Sequence, residues 1–131
     1  METNDLTYKV IGAAIEVHKR LGPGLLEKVY QECMLHEFQK RGLSVEMEFP
    51  ISVIYDDIEI NSGYRIDLLV ENKLVVELKS VDAVSDLHKA QILTYMKLGE
   101  YKVGLLINFN VTKLANGINR FVNGKLENEP L

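Results

Sequence analysis

At Leu43 the spacing of apolar residues changes from three or four to two, and that switch limits what the chain can fold into. Before it, Leu6, Val10, Ala14, Val17 and Leu21 recur at helical steps through NDLTYKVIGAAIEVHKRLG. Asn4 or Asp5 is the expected N-cap and Gly22 the expected stop. A break at Gly22-Pro23-Gly24 leads into a second helix from about Leu25 to Arg41. Its expected inward stripe is Leu26, Val29, Cys33 and Phe38, with Gly42 as its C-terminal cap.

Beyond the switch, VEMEF alternates Val45, Met47 and Phe49 with Glu46 and Glu48, giving one buried and one wet face. Pro50 marks an edge or a bulge. ISVIY continues as strand; IEI returns after an Asp56-Asp57 turn, and GYRIDLLV (63–70) and KLVVELKS (73–80) read as two more strands. Helical spacing returns in SDLHKAQILTYMKLGEY, capped by Ser85 or Asp86 and ended at Gly99, with Leu87, Ala90, Gln91, Thr94, Tyr95 and Leu98 on one broad face. KVGLLINF is apolar throughout, as a buried strand should be, and GINRFVNG reads as a short final strand or a helical turn. The expected order α-α-β-β-β-β-α-β-β describes an α/β (α+β) fold with a mixed sheet packed by helices, one domain over residues 1–131.

Composition narrows the function classes. A net charge of −4 argues against a histone-like nucleic-acid binder, yet leaves room for a carboxylate site whose bound cations reverse the local sign. The single cysteine, Cys33, excludes an intramolecular disulfide and a zinc cluster. No apolar run reaches the length of a membrane span, and METNDLTYKV lacks the features of a signal peptide, so the expected location is the cytoplasm.

The chemistry concentrates in one predicted hairpin. Glu77 and Lys79 stand two apart on the otherwise apolar KLVVELKS, so they share a face. A two-residue turn at Asn72-Lys73 would set Asp67 against Leu78. A three-residue loop, Glu71-Asn72-Lys73, sets Asp67 against Glu77 and Arg65 against Lys79. The second register keeps Arg65, Asp67, Glu77 and Lys79 on one face and Ile66, Leu68, Val76 and Leu78 on the other, and Asn72 tolerates the left-handed backbone it needs. Facing carboxylates repel, and a divalent cation turns that repulsion to use. The same face also suits a solvated ion-pair set in which Arg65 and Lys79 neutralise the acids.

Asp67, then Glu77-x-Lys79, then Gln91-x-x-x-Tyr95 on a helix resembles the PD-(D/E)XK nuclease superfamily. The upstream Gly24-x-x-Glu27-x-x-Tyr30 resembles the motif of its GxxExxY branch, and the resemblance runs from about Ile11 to Val122. It implies a restriction-endonuclease-like core of helix, antiparallel strand meander, crossover helix and further strand. It further implies a nuclease that uses Mg²⁺ or Mn²⁺, held by Asp67, Glu77 and the main-chain carbonyl of Leu78, with Glu27 as ligand or water-bridged partner. Lys79 would activate water, with Gln91 and Tyr95 beside the site and Tyr30 in support. The expected partner is DNA or RNA, with specificity from a homodimer or a protein partner. The alternative is a non-catalytic nucleic-acid- or protein-binding module on the same fold. The motif's leading proline is absent, since Ile66 precedes Asp67.

Other residues read as background. His18, His36 and His88 share no ligand spacing, and only His88 lies near enough to Gln91 to reach the site. Cys33 reads as core, and Glu46 and Glu48 as the wet face of a strand. Lys19, Arg20, Lys28, Lys89 and Lys97 are candidates for a basic rim. Strand 101–108 or the C-terminal strand is a candidate for pairing between subunits.

Overall fold

The computed structural model describes residues 1–124. Helix α1 (Thr3–Leu21) and helix α2 (Glu27–Lys40) precede strands β1 (Val45–Tyr55), β2 (Ile58–Val70) and β3 (Leu74–Lys79). Helix α3 (Asp86–Gly99), β4 (Val103–Asn108), a 3₁₀ turn (Leu114–Gly117) and β5 (Ile118–Val122) complete the order. The strands lie in one sheet in sequence order, with β3 and β4 parallel across α3 and every other pair antiparallel. The α+β architecture is therefore as expected, with one strand fewer before α3. ISVIY continues β1 as expected, while IEI and GYRIDLLV merge into the long β2.

Helices cover both faces of the sheet. On one, Leu6, Val10 and Ala14 of α1 and Tyr30, Met34 and Phe38 of α2 pack on Leu68, Val76, Leu78 and Leu105. On the other, Ile92, Tyr95 and Met96 of α3 pack on Leu69, Val75 and Leu106. Gly104 lets α3 come close, because a Cβ there would lie 2.7 Å from the Met96 sulfur. The interior strands β3 and β4 are buried on both sides, which explains their near-unbroken apolar sequence. β4 is thus no candidate for pairing between subunits; the sheet edges are β1 and β5.

Several local expectations are corrected. Glu2, not Asn4 or Asp5, precedes α1 as N-cap, and Leu21 is exposed. The buried face of α2 is Tyr30, Gln31, Met34, Glu37 and Phe38; Leu26 and Val29 are 76% and 40% exposed. On α3 the buried residues are Ile92, Tyr95 and Met96, while Leu87, Ala90, Thr94 and Leu98 are exposed. Ser85 caps α3 in a reciprocal capping box with His88. His18 is buried, its Nε2 2.7 Å from the Val111 carbonyl, and Cys33 is half-buried against the core.

Candidate active site

The β2–β3 hairpin adopts the three-residue loop: Val70 pairs with Leu74, Leu69 with Val75 and Leu68 with Val76. Glu71 and Asn72 both take left-handed backbone (φ 54° and 50°). Continued by one step, this register sets Asp67 opposite Glu77. There side chains replace the backbone ladder. Asp67 N–H donates to Glu77 Oε2 at 2.7 Å, and Leu78 N–H donates to Asp67 Oδ2 at 2.8 Å. Each carboxylate is fixed through one oxygen. Among the described residues, no protein donor bonds Asp67 Oδ1 or Glu77 Oε1.

The alternation of faces breaks at this point in two strands at once. Val45, Met47 and Leu68 pack under α1 and α2, whereas Phe49, Ile51 and Ile66 pack under α3. Glu48 carries the break in β1 with φ 55°, a conformation that costs a non-glycine residue about 1 kcal/mol or more. No ladder pair joins Glu48 to Asp67, although Met47↔Leu68 and Phe49↔Ile66 pair on either side. Gln31, only 5% exposed, holds the junction: its Nε2 donates to Glu48 Oε1 at 2.8 Å and to the Asp67 carbonyl at 3.1 Å.

Burial and crowding dominate the electrostatics. Burial first, then the Asp67 charge, pushes Glu77 up to about 8. Burial likewise pushes Asp67 up to about 6; Leu78 N–H and Lys79 oppose this, and Glu48 and Glu27 add to it. Lys79 forms no ion pair among the described residues, and it acts on both acids through its field alone. Arg65 does not join the face expected of it. It is exposed, and its nearest polar partner is the Glu48 carbonyl at 3.5 Å. The neutralising ion-pair set is therefore not formed.

Glu27 is exposed at the first position of α2, within electrostatic reach of Asp67. The loop before it explains the Gly24-x-x-Glu27-x-x-Tyr30 spacing. Gly24 sits at φ 98°, which L side chains rarely adopt. Tyr30 Oη donates to the Gly22 carbonyl at 2.6 Å and accepts from Leu25 N–H at 3.2 Å, while its ring stacks on Phe109 at 4.4 Å. Ser80, just past β3, bonds the Leu25 carbonyl and ties this loop to the end of the strand. Tyr30 is therefore a fully buried lock on the loop.

On the α3 side, Gln91 stands one turn before Tyr95, whose phenol is raised first by burial and then by the Glu77 charge. Tyr95 and Gln91 also line a groove of about 300 Å³ with Tyr64, Leu87, His88, Ala90 and Thr94. His88 reaches this groove but commits its Nδ1 to the Ser85 N–H. The structure thus brings Asp67, Glu77 and Lys79 together, with Glu27 and Tyr95 within electrostatic reach, and places Gln91 beside Tyr95 in the groove.

The sequence profile of the PD-(D/E)XK nuclease superfamily matches residues 4–121. The chain belongs to that superfamily. No curated protein and no solved structure matches it. In this PD-(D/E)XK chain, Ile66 at the motif's proline position is fully buried under α3, so an apolar residue serves there. Sequence reasoning missed Glu48 and Gln31. The one signal was Pro50, which marked an irregular β1 two residues further on. Asn108 was also missed: it is buried and bonds Val81 N–H at 3.1 Å and the Val81 carbonyl at 2.9 Å, holding the segment that leaves β3. Three of the five expected basic-rim residues are engaged elsewhere. Arg20 pairs with Glu16, Lys28 with Glu32, and Lys19 borders a separate hollow beside Thr112–Ala115.

Proposed function

We propose that the chain is a divalent-metal-dependent nuclease that hydrolyses phosphodiester bonds of nucleic acid, a single domain of the GxxExxY branch. One observation carries this: two mutually repelling carboxylates, the buried Glu77 and the half-buried Asp67, each oriented by a backbone N–H, have no cation bonded to them among the described residues. No group of three or more His, Cys, Asp or Glu able to hold a metal occurs among the described residues. That donor set suits Mg²⁺ or Mn²⁺ better than a closed all-protein cage, since Mg²⁺ takes one or two carboxylates and fills its shell with water and phosphate oxygens.

Asp67 Oδ1 and Glu77 Oε1 would hold the cation. The Leu78 carbonyl would help: the Lys79 carbonyl bonds Phe109 N–H on the β4 side, so alternation turns that of Leu78 toward β2. Glu27 would complete the acidic edge through water. A cation held there supplies Lewis-acid polarisation of the scissile phosphate and offsets its developing charge. Lys79 orients the attacking water and stabilises charge at the phosphorus centre. Gln91 and the Tyr95 hydroxyl offer hydrogen bonds on the substrate side. The left-handed Gly24, the loop-locking Tyr30 and Glu27 within electrostatic reach of Asp67 support the branch assignment.

Labelled single- and double-stranded DNA and RNA, incubated with Mg²⁺, Mn²⁺ or EDTA, test the proposal. Cleavage is expected only with metal, and Asp67→Ala and Lys79→Ala should reduce it at least a hundredfold. Equal cleavage by Asp67→Ala and wild type would overturn the assignment.

A further inference from the structure

We propose that the groove along α3 receives an unpaired nucleobase of the substrate strand, stacked on Tyr64. This rests on reading the carboxylate pair as a nuclease centre and adds the substrate class: single strands, or duplex ends that can fray. Position is the first support. Tyr95 and Gln91 wall the groove, and Tyr95 also lies within electrostatic reach of Glu77 and Asp67. Tyr95 thus links the groove to the carboxylates, so a base next to a phosphate held there would lie on the groove's side.

The lining chemistry is the second support. In a chain of net charge −4, none of the seven lining residues is acidic. Tyr64 is 50% exposed and Leu87 76%, so an apolar floor and an aromatic face lie open beside a charged centre. The Tyr64 and Tyr95 rings stand 6.1 Å apart at 44°, a corner in which a planar ring can stack on one phenol and meet the other at its edge. The Gln91 amide and Thr94 hydroxyl both donate and accept, so they satisfy the edge of any base without selecting one. Stacking is indifferent to base identity, because every base presents a π-face. A base inside a duplex has both faces covered by its neighbours and does not enter a hollow of about 300 Å³.

The test uses DNA and RNA oligonucleotides carrying one 2-aminopurine, single-stranded or in a duplex, with the full chain in EDTA so that no turnover occurs. Wild type and Tyr64→Phe should bind single strands and quench the probe. Tyr64→Ala should bind about tenfold to a hundredfold more weakly and leave the probe bright. Ala90→Trp, which fills the groove from an exposed helix position, should do the same, and the duplex should bind at least tenfold more weakly than the single strand. The proposal is overturned if wild type binds no single strand, if both variants bind as wild type does, or if duplex binds equally well. The two readings fail separately. Metal-dependent cleavage with Tyr64-independent binding removes the groove alone; Tyr64-dependent binding without any cleavage removes the nuclease alone.

Discussion

Replacing Glu77 by Gln should stabilise the metal-free protein at alkaline pH. The substitution keeps an acceptor for the Asp67 N–H and removes one of two facing charges. Glu77 is 5% exposed, and burial with the Asp67 charge raises its carboxyl from 4.5 to about 8. The folded state thus binds the proton more tightly than the unfolded chain. Between those two values stability must fall as pH rises, because folding retains a proton that unfolding releases. At about 1.4 kcal/mol per pH decade the ceiling is about 5 kcal/mol. Relaxation of the site and sharing of the proton with Asp67 reduce the expected effect to about 2–4 kcal/mol. Urea denaturation in EDTA from pH 5 to 9 measures it. Glu77→Gln should match wild type near pH 5 and exceed it by that margin near pH 9, with an unchanged m-value. Parallel curves, or a wild type that gains stability toward pH 9 relative to the variant, would show that Glu77 is not held protonated by the fold.

Two further outcomes follow from the same geometry. Gln31→Leu strips both partners from the Glu48–Asp67 junction; denaturation should show a loss of about 1–3 kcal/mol, and calorimetry about tenfold to a hundredfold weaker Mg²⁺ binding. Tyr30→Phe keeps the ring stack on Phe109 but leaves the Gly22 carbonyl and Leu25 N–H without their hydroxyl partner. It should cost about 1–3 kcal/mol in urea denaturation and speed amide exchange at Leu25.

The parts of the fold legible in the sequence are those governed by short-range rules. Loop length and alternation together specify the β2–β3 register, so Asp67 could be set beside Glu77 from spacing alone. The unbroken apolar run of β4 likewise marks an interior strand. Alternation failed where it was interrupted. Nothing in MEFP announces that Glu48 turns inward at positive φ, nor that Ile66 and Phe49 change layers with it, because that break is shared between two strands and held by Gln31 from a helix. Gln31 also hid the true face of α2, since a buried stripe containing Gln31 and Glu37 does not read as apolar. Arg65 was misplaced for the same reason: it lies beyond the break.

Calorimetric titration of Mg²⁺ and Mn²⁺ into the full chain tests, without a substrate, whether the facing Asp67 and Glu77 carboxylates are a cation site. Wild type should bind the ion, with affinity rising from pH 6 to pH 8 as the two carboxyls lose their protons. At a hundred times the dissociation constant, bound ion should add about 2.7 kcal/mol of stability. The double variant Asp67→Asn with Glu77→Gln should show neither heat nor stabilisation. Wild type that takes up no ion, or a double variant that binds it equally well, would contradict the account.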